Sequence, residues 1–91
     1  MERGGEPALY KGRNTFTWLD DVKQLKRSGK IDEAIEILLD LIDVVEADKS
    51  YPGVPPAYYE QAAICFRKIG DLASEISVLE RFAAQVHARG V

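Results

Sequence analysis

Residues 16–45 read FTWLDDVKQLKRSGKIDEAIEILLDLIDVV. Trp18, Val22 and Leu25 recur at spacings of four and three, and Phe16, Leu19, Val22 and Leu25 recur every third residue, which is the period of one face of an α-helix. Thr15 or Thr17 is a suitable N-cap, and Asp20 and Asp21 fall where the positive end of the helix dipole favours acids. Ser28-Gly29 ends the helix, with Gly29 supplying the left-handed residue past its C-terminus. A second helix opens near Ile31 with acids in its first turn, and Ile31, Ala34, Ile35, Leu38, Leu41, Ile42 and Val45 form its apolar stripe. Ile37 and Val44 lie outside that stripe, so this helix is apolar on more than one side.

Beyond it, residues 49–56 (KSYPGVPP) carry three prolines and a glycine and must be a turn, after which Pro55 or Pro56 suits the first position of a third helix. That helix spans about 56–69, with Tyr59, Ala62, Ala63 and Phe66 at helical spacing, and stops at Gly70. Asp71 can cap a fourth helix, whose expected core stripe is Leu72, Ile76, Leu79, Phe82, Ala83 and Val86, running to about Ala88. On the other side, residues 1–14 (MERGGEPALYKGRN) are Gly-rich and polar and read as a flexible arm, with Leu9 and Tyr10 able to dock on the body. Residues 89–91 read as a disordered tail. No sustained period-two alternation occurs, so the expected fold is all-α, four helices as two antiparallel hairpins over 15–88.

Setting Gly29 over Gly70 aligns the two hairpins at an offset of 41 residues. Trp18 falls on Tyr59, Val22 on Ala63, Leu25 on Phe66, Lys26 on Arg67 and Arg27 on Lys68. After the turn, Asp32 falls on Ala73, Ile35 on Ile76, Leu38 on Leu79 and Leu41 on Phe82. This pattern resembles the tetratricopeptide repeat, a helix pair with an early aromatic, a small residue four later, an aromatic three after that, a turn glycine, and a small residue with large apolar ones in the second helix. The resemblance covers about residues 16–86 and extends to short helical-repeat segments of bacterial proteins. It implies a right-handed superhelical fragment. Three features depart from the family: the offset exceeds its period of about 34, Glu75 stands where Ala34 fits the small-residue position, and only two units are present where about three are usual.

The chain has 91 residues, room for one domain, with 46% apolar and 30% charged residues, as in soluble globular proteins. Its net charge of −3 is segregated: residues 1–30 carry seven bases against four acids, whereas residues 31–48 carry seven acids and no base. Such faces are either solvated surfaces or fields that steer a charged partner. The lone Cys65 allows no internal disulfide and points to a reducing cytoplasm. No apolar run reaches the roughly 18 residues that span a bilayer, and no membrane role is expected.

No catalytic constellation emerges. Cys65 and His87 are the only thiol–imidazole pair, and their distances from the turn near residue 70 separate them by about 18 Å along antiparallel helices. Cys65 reads as a small core residue and His87 as a partner for the negative pole of the last helix. Asp32, Glu36, Asp40 and Asp43 have helical spacing but form an ordinary acidic face, and no phosphate-binding loop occurs, so neither metal nor cofactor is expected.

In the repeat family, the first helices of successive units line a concave surface that takes a peptide or a partner helix. The resemblance carries this to Phe16, Leu19, Lys23, Lys26 and Arg27 in one unit and to Ala57, Glu60, Ile64, Arg67 and Lys68 in the other. The expected partner-binding residues are Lys23, Lys26, Arg27, Ile64, Arg67 and Lys68, a cluster suited to a carboxylate, an acidic segment or a phosphate. Late-helix cations equally complement the C-terminal dipole, and the sequence alone leaves both readings open. Homodimerisation is the alternative, through apolar surface near Ile37, Val44 and Val78. Nucleic-acid binding through residues 11–27, where Phe16 and Trp18 sit among bases, is the weaker one, opposed by Asp20, Asp21 and the overall acidity.

Overall fold

The computed structural model describes residues 9–48 and 54–88, the side chains of 87 and 88 excepted. Four helices, α1 (Trp18–Arg27), α2 (Ile31–Ala47), α3 (Pro56–Lys68) and α4 (Leu72–Ala88), pack in chain order, each against the next. The fold is all-α apart from one small hairpin near the N-terminus. The α1–α2 and α3–α4 turns close in the same way. Lys30 N–H donates to Leu25 C=O (2.8 Å) and Asp71 N–H to Phe66 C=O (2.9 Å), with Gly29 at φ +79° and Gly70 at φ +77°. These six-to-one bonds over a left-handed glycine are Schellman closures, and they recur at the offset of 41 that the sequence shows. A Cβ at either glycine would meet no neighbour but would be strained by that φ. Pro56 occupies the first turn of α3, where its missing N–H costs nothing, and Asp71 Oδ1 accepts from Ser74 N–H (3.1 Å) as the cap of α4.

The start of the domain differs from the sequence expectation. Within the stretch read as an arm, residues 9–14 form a hairpin: β1 (Leu9–Tyr10) and β2 (Arg13–Asn14) pair antiparallel, Leu9 with Asn14 and Tyr10 with Arg13. The two-residue turn has positive φ at both Lys11 (51°) and Gly12 (79°), as a type I′ turn requires. Residues 1–8 and 89–91, the rest of the expected arm and the expected tail, lie outside the described residues. Tyr10 does dock: its ring meets Trp18 edge-on at 5.1 Å, its carbonyl accepts from Trp18 Nε1 (3.0 Å), and its hydroxyl donates to Asp40 Oδ2 (2.6 Å). Thr17, one of the two expected N-caps, stands at the N-cap position of α1 without a side-chain capping bond, and the side-chain cap comes from Asn14. Its Oδ1 accepts from Phe16 N–H (2.9 Å) at the head of a 3-10 turn, Thr15–Thr17, that leads into α1. Thr15 is instead buried, its hydroxyl accepting from Tyr58 Oη (2.7 Å).

Because Tyr10 donates to Asp40, is partly buried and faces the charges of Asp40 and Glu36, its phenol is pushed from 10.0 up to about 12. The folded value lies above the unfolded one, so this bond stabilises fully below pH 10 and its contribution disappears as pH rises through about 12. Burial also pushes the Tyr58 phenol up, so alkaline titration followed by tyrosinate absorbance should show more than one late-titrating tyrosine in the native chain, one of which moves back towards 10 in Asp40→Asn. An unchanged titration curve would show that the hairpin is not held by this bond.

The core runs through Val22, Ala34, Leu38, Leu41, Ile42, Tyr58, Ala62 and Cys65, all fully buried. α2 lies between α1 and α3, and its expected stripe is buried almost to the residue. α4 is different. Of its expected core stripe, Leu72, Ile76 and Leu79 are 63%, 47% and 43% exposed, and Ala83 is exposed too. Glu75 and Val78 point inward instead, with Phe82 half-buried and its ring 5.1 Å from that of Tyr59. The reason is that α4 has one principal neighbour, α3, where α2 has two. Arg81 adds a tether, its Nε donating to Glu46 Oε2 (2.8 Å) and its Nη2 to Glu46 Oε1 (2.9 Å) and Asp43 Oδ1 (2.5 Å) on α2.

Candidate binding surface

The last turns of α1 and α3 lie side by side, because both helices end one residue before their closing turns at equivalent points of the repeat. Lys23, Lys26, Arg27 and Lys68 line a shallow, open depression there, and no acid shares its lining. Lys26 is half-buried, and its Nζ is fixed by Gln61 Oε1 (2.7 Å) on α3. Lys23, Arg27 and Lys68 are exposed and make no ion pair among the described residues. Each helix C-terminus contributes roughly half a negative charge, about one in total, against four cations. The dipoles therefore cannot absorb the cluster, and the site keeps a positive field.

Two of the expected residues stand apart. Arg67 is turned to α4, where its Nε (2.9 Å) and Nη2 (2.5 Å) both donate to Glu75 Oε2. This pairing raises the already high pKa of the guanidinium, first through the hydrogen bond and then through the charge of Glu75. Ile64 is 40% exposed on α3 but does not line the depression. Gln61, which holds Lys26 in place, was not singled out by sequence reasoning; the signal was there only in its i+4 spacing from Ala57, a position already assigned to the binding face.

Other candidate groups are engaged. Cys65 is fully buried, and burial pushes its thiol up, with Lys26 and Lys68 pulling weakly the other way. The His87 side chain lies outside the described residues. On the acidic face of α2, Asp40 is taken by Tyr10 and Asp43 by Arg81, and no group of three or more metal-ligating side chains occurs among the described residues. Trp18 is not an open stacking platform: Arg13 lies over its ring at 4.1 Å, held there by Asp21 (3.2 Å), whose carboxyl the arginine keeps below its usual range. Val78, expected to add outward apolar surface, is buried at 3% exposure, and Ile37 and Val44 are half-buried. No described helix is long and apolar enough to cross a membrane.

No family model matches the chain, and no curated protein or solved structure matches it either.

Proposed function

We propose that the chain is a non-catalytic, tetratricopeptide-like module that grips an acidic or carboxylate-bearing segment of a partner protein through the depression at the ends of α1 and α3. The observation that carries this reading is the convergence of Lys23, Lys26, Arg27 and Lys68 on one open surface without a compensating acid. Three of the four ammonium or guanidinium groups are free to bind, and the fourth is pre-positioned by Gln61. A carboxylate side chain meets such a surface as a set of charge-assisted hydrogen bonds, with arginine able to take it bidentately. The two closing turns, matching at an offset of 41, support the repeat reading on which the partner class rests. A buried, unpaired Cys65 suits a reducing compartment, and the cytoplasm is the proposed location.

The test is titration of the chain with a short glutamate-rich peptide, against a scrambled-charge control. Three exposed contacts at roughly 0.5 kcal/mol each predict that Lys23→Ala, Arg27→Ala and Lys68→Ala together weaken binding about tenfold. Binding should also weaken as ionic strength rises. Absence of binding, or binding indifferent to the triple substitution, would exclude the reading.

A further inference from the structure

Elsewhere in the chain, arginines carry their own counter-ions: Arg13 pairs with Asp21, Arg67 with Glu75, and Arg81 with both Glu46 and Asp43. The depression at the ends of α1 and α3 is built differently. Lys23, Lys26 and Arg27 share one face of α1 at spacings of three and four, and Lys68 approaches from α3. Lys26 Nζ is fixed by the neutral amide of Gln61 (2.7 Å), which positions the cation without cancelling it. The charges of Lys26 and Lys68 both act on the buried thiol of Cys65, so ammonium groups from two helices converge on one place. Of the acids near in sequence, Asp20 and Asp21 line a separate groove between α1 and α2, and Glu60 lines neither.

The amount of charge selects among anions. Four formal charges, less the roughly one unit that two helix C-termini supply, leave about three positive charges on a small area. A carboxylate brings one negative charge and two acceptor oxygens. A phosphate monoester brings about −1.5 to −2 at neutral pH and three acceptor oxygens. Lys23, Arg27 and Lys68 are the exposed donors, three side chains on two helices, and they match three oxygens better than two. The rest of the chain favours a compact anion over an extended one. A single phosphoryl group lies within the screening length of roughly 8 Å in physiological salt and meets only the local cations. An anionic membrane or a nucleic-acid strand spreads its charge much further, and four cations on a chain of net charge −3 do not offset a polyanion of that extent.

We propose that the anion this depression selects is a phosphoryl group, carried on a phosphoserine or phosphothreonine of the partner segment. The proposal rests on the reading of the depression as the partner-binding surface and names the chemical group that it takes. Because the surface is shallow and open, a short phosphorylated side chain reaches its cations, and there is no cleft for the longer stem of a phosphotyrosine.

Calorimetric titration of the purified chain tests this with one short peptide of otherwise uncharged residues, made with phosphoserine, glutamate or serine at its centre. One further charge and one further charge-assisted bond should make the phosphoserine form at least about tenfold tighter than the glutamate form, and the serine form should fall below detection. Inorganic phosphate at constant ionic strength should displace the phosphoserine peptide. Lys23→Ala, Arg27→Ala and Lys68→Ala together should weaken it at least about tenfold. A phosphoserine form that binds no more tightly than the glutamate form, with a glutamate-rich peptide still bound, would overturn this proposal and leave the acidic-segment reading standing. If the glutamate-rich peptide fails to bind as well, both fall. Binding of the phosphoserine peptide that survives the triple substitution would also overturn the proposal, as would recruitment to phosphoinositide-containing vesicles without binding of the peptide.

Discussion

Val78→Glu should leave the domain about 4 kcal/mol less stable, whereas Leu79→Glu, one residue further along the same helix, should cost about 1 kcal/mol. Val78 is 3% exposed and belongs to the main core, so a carboxylate there loses its water and finds no partner, a penalty of roughly 3–5 kcal/mol. A chain of 91 residues has a total stability of roughly 5–13 kcal/mol, so the change removes a large part of it. Leu79 is 43% exposed, and a glutamate at that position keeps its hydration and its helix propensity while giving up part of a leucine's burial, about 1 kcal/mol. Equilibrium unfolding in urea measures both. The pair determines the rotation of α4. Apolar periodicity alone turns Leu72, Ile76 and Leu79 inward and makes Leu79→Glu the damaging change. A reversed order of effects would mean that α4 is rotated by about 100°, one residue's turn on the helix.

That rotation marks the limit of what periodicity conveys. The helices themselves were legible because each is bounded by a residue with a mechanical reason to be there: Gly29 and Gly70 at positive φ, Pro56 in a first turn, Asp71 as a cap. The apolar stripe of α2 was legible for another reason, since a helix packed on both sides covers nearly every apolar residue it has at least in part. A helix with one principal neighbour must choose which of its apolar faces to bury, and its own sequence does not state the choice. The β-hairpin escaped notice because two-residue strands show no alternation, and Lys11-Gly12 lacks the asparagine or aspartate that usually announces a type I′ turn. Of the candidate site, the grouping of Lys26, Arg27 and Lys68 followed from the repeat register, because register fixes which turns of α1 and α3 lie side by side. Arg67 was placed with them by the same register. Its diversion to Glu75 depends on a contact across the α3–α4 turn that an alignment of two hairpins cannot contain.

Ala34→Glu should cost about 3–5 kcal/mol, even though the second hairpin carries a glutamate at the equivalent position. Ala34 is fully buried where α2 is crossed by its neighbours, so the longer side chain meets packed atoms and its carboxylate is stripped of water. Glu75 tolerates nearly the same burial, 6% exposure, because Arg67 reaches it from the end of α3 with two donors, and because α4 is open on its far side. In the first hairpin the residue equivalent to Arg67 is Lys26, a single ammonium already held by Gln61. A glutamate at 34 would therefore stand without a planar, two-donor partner, and Arg and Lys are not equivalent in that role. Adding Lys26→Arg to Ala34→Glu should recover part of the loss, and Glu75→Ala alone should change stability by no more than about 1 kcal/mol, since the cost of burying the carboxylate is removed along with its bond. Equilibrium denaturation of the three variants and the parent decides the matter. If Ala34→Glu is as stable as the parent, the small-residue position does not constrain the packing of α2; if Lys26→Arg recovers nothing, Glu75 is held by the openness of α4 rather than by its arginine. The departure from the repeat pattern at residue 75 is on this account a local solution, one ion pair formed across the α3–α4 turn on a helix that has one principal neighbour.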